Sequence, residues 1–154
     1  MTDEIDAKLK ELGLTLPEAS APVANYVPWV RTGNLVHVSG QIAQDADGPI
    51  RGRLGAGMST KEGAAAAQAC ALSLLAQARA ACGGDLSRLV RVVKLTGFVN
   101  STPDFTEHAL VTNGASDLFV AVLGEKGRHA RSSVSATSLP LGVAVEIEGI
   151  FEVA

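Results

Sequence analysis

The sequence predicts an α+β fold: a mixed sheet with two helices on one of its faces. Three observations carry this. Behind a short N-terminal helix, the element order reads ββ-α-β-α-ββ. Residues 63–85, GAAAAQACALSLLAQARAACGGD, form an alanine-rich helical run whose small side chains let it lie close against a sheet. The last strand alternates, with Val143, Val145, Ile147, Gly149, Phe151 and Val153 on one face and Ala144, Glu146, Glu148, Ile150 and Glu152 on the other.

Composition narrows the class. A chain of 154 residues suits one domain around one core, with an N-terminal helix and extended arm over 1–21 and the core over 22–154. Hydrophobic residues make up 47% and charged residues 19%, which marks a globular chain. Aromatics are only 4%, so the core is built from Ala, Val and Leu, and few rings remain to stack bases. The net charge of −3, with no Lys/Arg cluster, disfavours nucleic acid as a partner. No apolar stretch reaches the ~20 residues of a membrane span. The opening MTDEIDAKLKELG has no signal-peptide core, so the expected compartment is the cytoplasm. Cys70 and Cys82 are 12 residues apart in one predicted helix, about 18 Å of rise, too far for a disulfide. Two reduced, half-buried thiols are expected.

Each element has its own signal. Residues 3–12 predict an amphipathic helix capped by Thr2, with Ile5, Leu9 and Leu12 on one face and Gly13 at its end. Pro17, Pro22 and Pro28 make the next segment extended and edge-like. A hairpin joins Tyr26–Arg31 to a strand over Leu35–Ile42 through Thr32-Gly33-Asn34. QDADGPIRGRLGAG is read as loop because glycines interrupt it. Ser59 and Glu62 form a capping box for the long helix, which stops at Gly83-Gly84. The β-branched run Leu89–Asn100 predicts a central strand. Ser101 or Thr102 is expected to cap a second helix, with Pro103 near its start and Gly124 at its end. The final two strands are expected to form a hairpin about Leu139-Pro140-Leu141-Gly142.

Five residues stand out as candidates for chemistry. Arg131 shares a strand face with Ser133, Ser135 and Thr137. Its rigid two-pronged donor suits a carboxylate, unless it pairs with a nearby glutamate. Glu146 sits on the non-core face of the last strand, where it is either an ordinary solvated carboxylate or, if partly withdrawn from water, a proton acceptor near neutral pH. Tyr26 offers a ring and a hydroxyl from a proline-flanked segment. Asn113 precedes Gly114 in mid-helix, where glycine costs about 1 kcal/mol and so signals the close approach of a backbone or a ligand. His37, His108 and His129 show no metal-ligand spacing, GRLGAGMSTKEG is no P-loop, and no GxSxG exists.

Taken together, GNLVHVSGQI, VVKLTGFVN and above all ARSSVSATSLPLGVAVEIEGI resemble the RidA/YjgF-like (Rid) family, over roughly residues 22–153. The extra N-terminal helix and the NGASDLF…GEKGRHARSSV region resemble a divergent subgroup. The resemblance implies a chorismate mutase-like (bacillus-type) fold, a homotrimer with ligand clefts between subunits, and hydrolysis of reactive enamines and imines to 2-oxo acids and ammonia without metal or organic cofactor. It implies that Arg131 grips the substrate carboxylate, that the backbone at Ser133 assists where archetypal members have cysteine, that Glu146 positions or activates water, and that Tyr26 and Asn113 line the pocket. The alternatives are a non-catalytic trimeric module for small carboxylate metabolites and, less favoured, an endoribonuclease or translation inhibitor.

Overall fold

The computed structural model describes residues 4–21 and 24–154; the expected cap Thr2 and Pro22 lie outside the described residues. Helix α1 spans Glu4–Glu11. It ends at Gly13, whose φ of 70° lets Leu14 N–H reach Leu9 C=O and Gly13 N–H reach Lys10 C=O, a Schellman motif. Strands β1 (Trp29–Thr32) and β2 (Leu35–Ile42) form the expected hairpin, with Gly33 at φ 58° in its tight turn.

The segment read as pure loop holds a two-residue hairpin, β3 (Gln44–Asp45) with β4 (Gly48–Pro49). The Asp45 carboxylate accepts from Asp47 N–H and closes that turn, a local bond that the glycine count does not reveal. Helix α2 (Thr60–Ala81) starts at the predicted capping box, with Ser59 and Glu62 bonding reciprocally. Both cysteines are free and more deeply buried than expected, Cys70 because α2 lies on the sheet and Cys82 because it closes the end of α2.

Strand β5 spans Leu89–Asn100, helix α3 His108–Leu123, β6 Ala130–Ala136 and β7 Val145–Val153. The second helix therefore starts later than predicted. Ser101 and Thr102 extend the sheet instead: Thr102 N–H donates to Leu54 C=O, and the Ser101 hydroxyl lies 2.7 Å from that of Ser135.

The main sheet runs β1-β2-β7-β5-β6. The expected β6–β7 hairpin does not form. β7 lies between β2 and β5, antiparallel to both, while β6 pairs parallel to β5 on the outer edge. Core burial decides the placement. Val145, Ile147 and Phe151 of β7 have no exposed surface and belong at the centre, whereas β6 carries Arg131, Ser132, Ser133 and Ser135 and suits an edge. β5, α3 and β6 thus make a parallel crossover unit.

Helices α2 and α3 cover one face of the sheet, as predicted, giving a mixed sheet with three α-helices among the described residues. The predicted inner face of β7 meets them, and Ala144, expected on the outer face, is buried beneath the incoming Ile50 strand-like segment, whose C=O accepts from Ala144 N–H. Gly114 explains the α2–α3 spacing. A Cβ there would stand 1.9 Å from the Ala64 carbonyl oxygen, so its glycine serves helix–helix approach. Among the described residues no helix is long and apolar enough to cross a membrane.

Candidate functional site

The register of the sheet places the candidate residues. Arg131 pairs with Leu95, Ser133 with Gly97 and Ser135 with Val99. Leu95 and Val99 are fully buried beneath the helices, so Arg131 and Ser133 project toward α3. Glu146 pairs with Phe98, one residue out of phase with that set, and projects from the opposite, helix-free face.

On the helix side, α3 shapes a cradle for the guanidinium. Asn113 and Ser116 are three residues apart and share a helix face. Arg131 Nη1 donates to Asn113 Oδ1 at 2.9 Å and to Ser116 Oγ at 3.0 Å, and Nη2 reaches the Ala109 carbonyl at 3.5 Å. These neutral acceptors fix the plane of the cation without cancelling its charge. No carboxylate among the described residues lies within ion-pair distance of Arg131, so the alternative of a glutamate-paired surface arginine does not describe it. Nε–H and one Nη2–H have no acceptor among the described residues, and together they form the two-pronged edge that matches a carboxylate. Ser133 Oγ donates to the His108 carbonyl at 3.1 Å and lies 2.6 Å from Thr112 Oγ1. Its hydroxyl is engaged within the fold, so a ligand contact at Ser133 would come from the main chain.

On the other face, Glu146 lies in a cleft of about 420 Å³, among whose walls are Tyr26, Ser39, Gln41 and Leu141. A β-bulge between Val38 and Gln41 breaks the β2–β7 register beside it. Gly40 occupies the bulge because a Cβ there would stand 3.0 Å from Glu146 Cδ. Ser39 holds the bulge to the preceding arm, its N–H donating to Pro28 C=O and its hydroxyl to Val27 C=O. Burial raises the pKa of Glu146 above the ordinary carboxylate value, and the neighbouring Glu148 charge adds to the effect. At the rim, Leu141 takes a positive φ of 58°, and Arg51 Nε donates to its carbonyl at 2.8 Å. Tyr26 is exposed at the mouth of this cleft.

The five predicted residues thus form two groups. Arg131, Asn113 and Ser133 meet on the α3 side; Tyr26 and Glu146 meet on the open face. Within one chain the sheet separates them. Gly40, Gln41, Ser39 and Leu141 were not singled out from the sequence. Gly40 alone carried a readable signal, a glycine inside a strand, which marks a bulge or a close approach.

A family model described as "YjgF/chorismate mutase-like, putative endoribonuclease" matches residues 6–150. Protein TCP17 of Trypanosoma cruzi is 51% identical over 150 residues, 96% of this chain and 93% of that one. Among solved structures, the protein Atu1372 of Agrobacterium tumefaciens, of unknown function, superposes with a TM-score of 0.93 at 48% identity, covering 99% of this chain and 94% of its own. A Shewanella oneidensis protein described as a putative endoribonuclease superposes with a TM-score of 0.91 at 34% identity, over 97% and 99%.

Proposed function

This chain belongs to the YjgF/chorismate mutase-like family, and from that premise we propose that it hydrolyses reactive 2-imino acids, and the enamines in equilibrium with them, to 2-oxo acids and ammonia. The observation that carries the reading is Arg131: a guanidinium held by Asn113 and Ser116, unneutralised by any carboxylate among the described residues, with a two-pronged edge that has no acceptor among them. A 2-imino acid bears its carboxylate next to the C=N carbon, so gripping the one fixes the other for attack.

The chemistry then needs a base. Water adds to the C=N carbon, and Glu146 takes the proton that water loses. Glu146 returns that proton to the imine nitrogen as the carbinolamine forms, then takes the proton of the carbinolamine hydroxyl and hands it to the same nitrogen. The oxygen's electron pair makes the C=O bond as the C–N bond breaks and ammonia leaves. A carboxyl group with a raised pKa is suited to both halves of that transfer near neutral pH. The substrate is already electrophilic, so positioning and one proton relay form a sufficient set.

The two groups must belong to different chains if they are to serve one substrate, because the sheet of a single chain holds them on opposite faces. A homotrimer in which the β6–α3 edge of one subunit meets the Glu146 cleft of the next supplies that arrangement. β6 is an edge strand with an unpaired side, which suits it to an intersubunit contact. A net charge of −3 and the scarcity of aromatics disfavour the ribonuclease reading that the description of the Shewanella protein would suggest.

The test is ammonia release from an imino acid generated in situ. The wild-type protein is expected to exceed the uncatalysed rate, and Arg131→Ala to fall back to it. A wild-type rate equal to the uncatalysed one would remove the hydrolase reading. Were 2-oxo acids then to bind wild type but not the variant, the non-catalytic carboxylate-binding reading would take its place.

A further inference from the structure

The Arg131 cradle continues one residue further than the proposed mechanism uses. His129 sits half-buried just before β6, its ring edge-on to Phe119 with centroids 6.1 Å apart. Its Nδ1 lies 2.6 Å from the Gly127 carbonyl, and its Nε2 lies 2.9 Å from Ser116 Oγ. Ser116 Oγ is the atom that receives Arg131 Nη1.

The direction of each bond in this chain is fixed by what the groups can do. A carbonyl only accepts, so Nδ1 carries the hydrogen. In the neutral ring Nε2 is then bare and accepts. A guanidinium only donates, so Ser116 Oγ accepts from Arg131 and sends its own hydrogen to Nε2. The polarity runs unbroken from the cation through the hydroxyl and the imidazole to the Gly127 carbonyl. Burial lowers the proton affinity of this ring; the bond to the Gly127 carbonyl opposes that and Arg131 reinforces it, and the net lowering favours the neutral form the chain requires.

We infer that His129, acting through the Ser116 hydroxyl, is a positioning residue that sets the orientation of the Arg131 guanidinium. This rests on the reading of Arg131 as the carboxylate clamp. With Nε2 in place, the Ser116 hydrogen points away from the cation and a lone pair faces Nη1. Without it, a helical serine turns its hydroxyl back toward the carbonyl one turn earlier. Nη1 then keeps Asn113 Oδ1 but loses its second directed acceptor, and the free Nε/Nη2 edge loses part of what fixes its plane. His129 touches no substrate atom in this scheme.

The experiment measures binding of 2-oxobutanoate by titration calorimetry, with thermal denaturation in parallel. His129→Phe keeps the ring packed on Phe119 and deletes both nitrogens. It is expected to weaken binding about tenfold, as is Ser116→Ala, since each removes one link to a charged group. The double variant is expected to be no weaker than either single one, because both lie on one path. His129→Gln, whose amide oxygen lies about as far along the side chain as Nε2, is expected to restore binding to within about threefold of wild type. A merely structural histidine would lower the melting temperature without this pattern of rescue and non-additivity. Unchanged binding in His129→Phe, losses that add in the double variant, or failure of the glutamine to rescue would each overturn the positioning role while leaving the clamp intact. If Arg131→Ala binds 2-oxobutanoate as wild type does, or if wild type does not bind it, the clamp itself is wrong and the inference goes with it.

Discussion

Glu146 combines burial with a like-charged neighbour, Glu148, and has no cation within ion-pair distance among the described residues of its own chain. Both causes raise its folded pKa above the ordinary carboxylate value. The sign of the stability effect follows. An acid whose pKa is raised by folding prefers to be protonated in the fold. Its penalty is absent below the unfolded pKa, grows as pH rises through the window up to the folded pKa, and is constant above it. In the Arg131→Ala background, which removes the cation that the proposed trimer brings to this cleft, adding Glu146→Gln is therefore expected to raise the melting temperature at neutral pH and to leave it unchanged below about pH 4; in the wild-type background Glu146→Gln is expected to abolish ammonia release. Matched thermal scans at the two pH values read this directly. A double variant less stable than Arg131→Ala at neutral pH would mean that the carboxylate has another stabilising partner. Part of this was legible from residue types: a glutamate in a strand asks for a reason. The depth of its burial was not, because it depends on the Ser39–Gly40 bulge of β2, where the missing Cβ of Gly40 leaves room for the side chain.

Helices and strands differ in how much of them a sequence discloses. The capping box at Ser59 and the glycine stop at Gly13 are local devices, and both appear where the residues place them. Strand partnership is not local. Alternation shows that Ala130–Ala136 and Val145–Val153 are strands but not which strand each one pairs with, so the short connection between them suggested a hairpin that the sheet rejects. The start of α3 was misread for a similar reason: Ser101 and Thr102 have the chemistry of a cap, but Leu54, distant in sequence, claims their backbone. The α2–α3 contact yields a prediction at this scale. Gly114→Ala gains about 1 kcal/mol of helix propensity. Its new methyl would meet the Ala64 backbone, which cannot rotate away, and overpacking of this kind costs about 3 kcal/mol. The clash wins, so a net loss of about 2 kcal/mol is expected in denaturant unfolding. Because α3 also carries Asn113 and Ser116, the same change is expected to weaken 2-oxo acid binding. Full stability in Gly114→Ala would show that the helices can separate freely.

At the scale of the molecule, the opposed placement of Arg131 and Glu146 makes assembly part of the proposed mechanism. The sequence named both residues but could not show that one sheet stands between them, since strand register emerges only when β5 takes its place between β7 and β6. A complementation experiment tests whether two chains build each site. Arg131→Ala and Glu146→Gln are each expected to be inactive alone and trimeric by light scattering. In a trimer that draws Arg131 from one subunit and Glu146 from the next, any mixed assembly keeps one cleft with both native residues. Unfolding the two variants together and refolding them at equal concentration leaves about three trimers in four mixed, each with one intact cleft of its three, so about one quarter of wild-type activity should return. The effect should vanish when the variants are refolded separately and combined without exchange. A mixture as inactive as its parents, made from variants that demonstrably exchange subunits, would mean that the two residues never share a cleft. The guanidinium and the carboxylate would then need separate explanations, however well the fold matches the family.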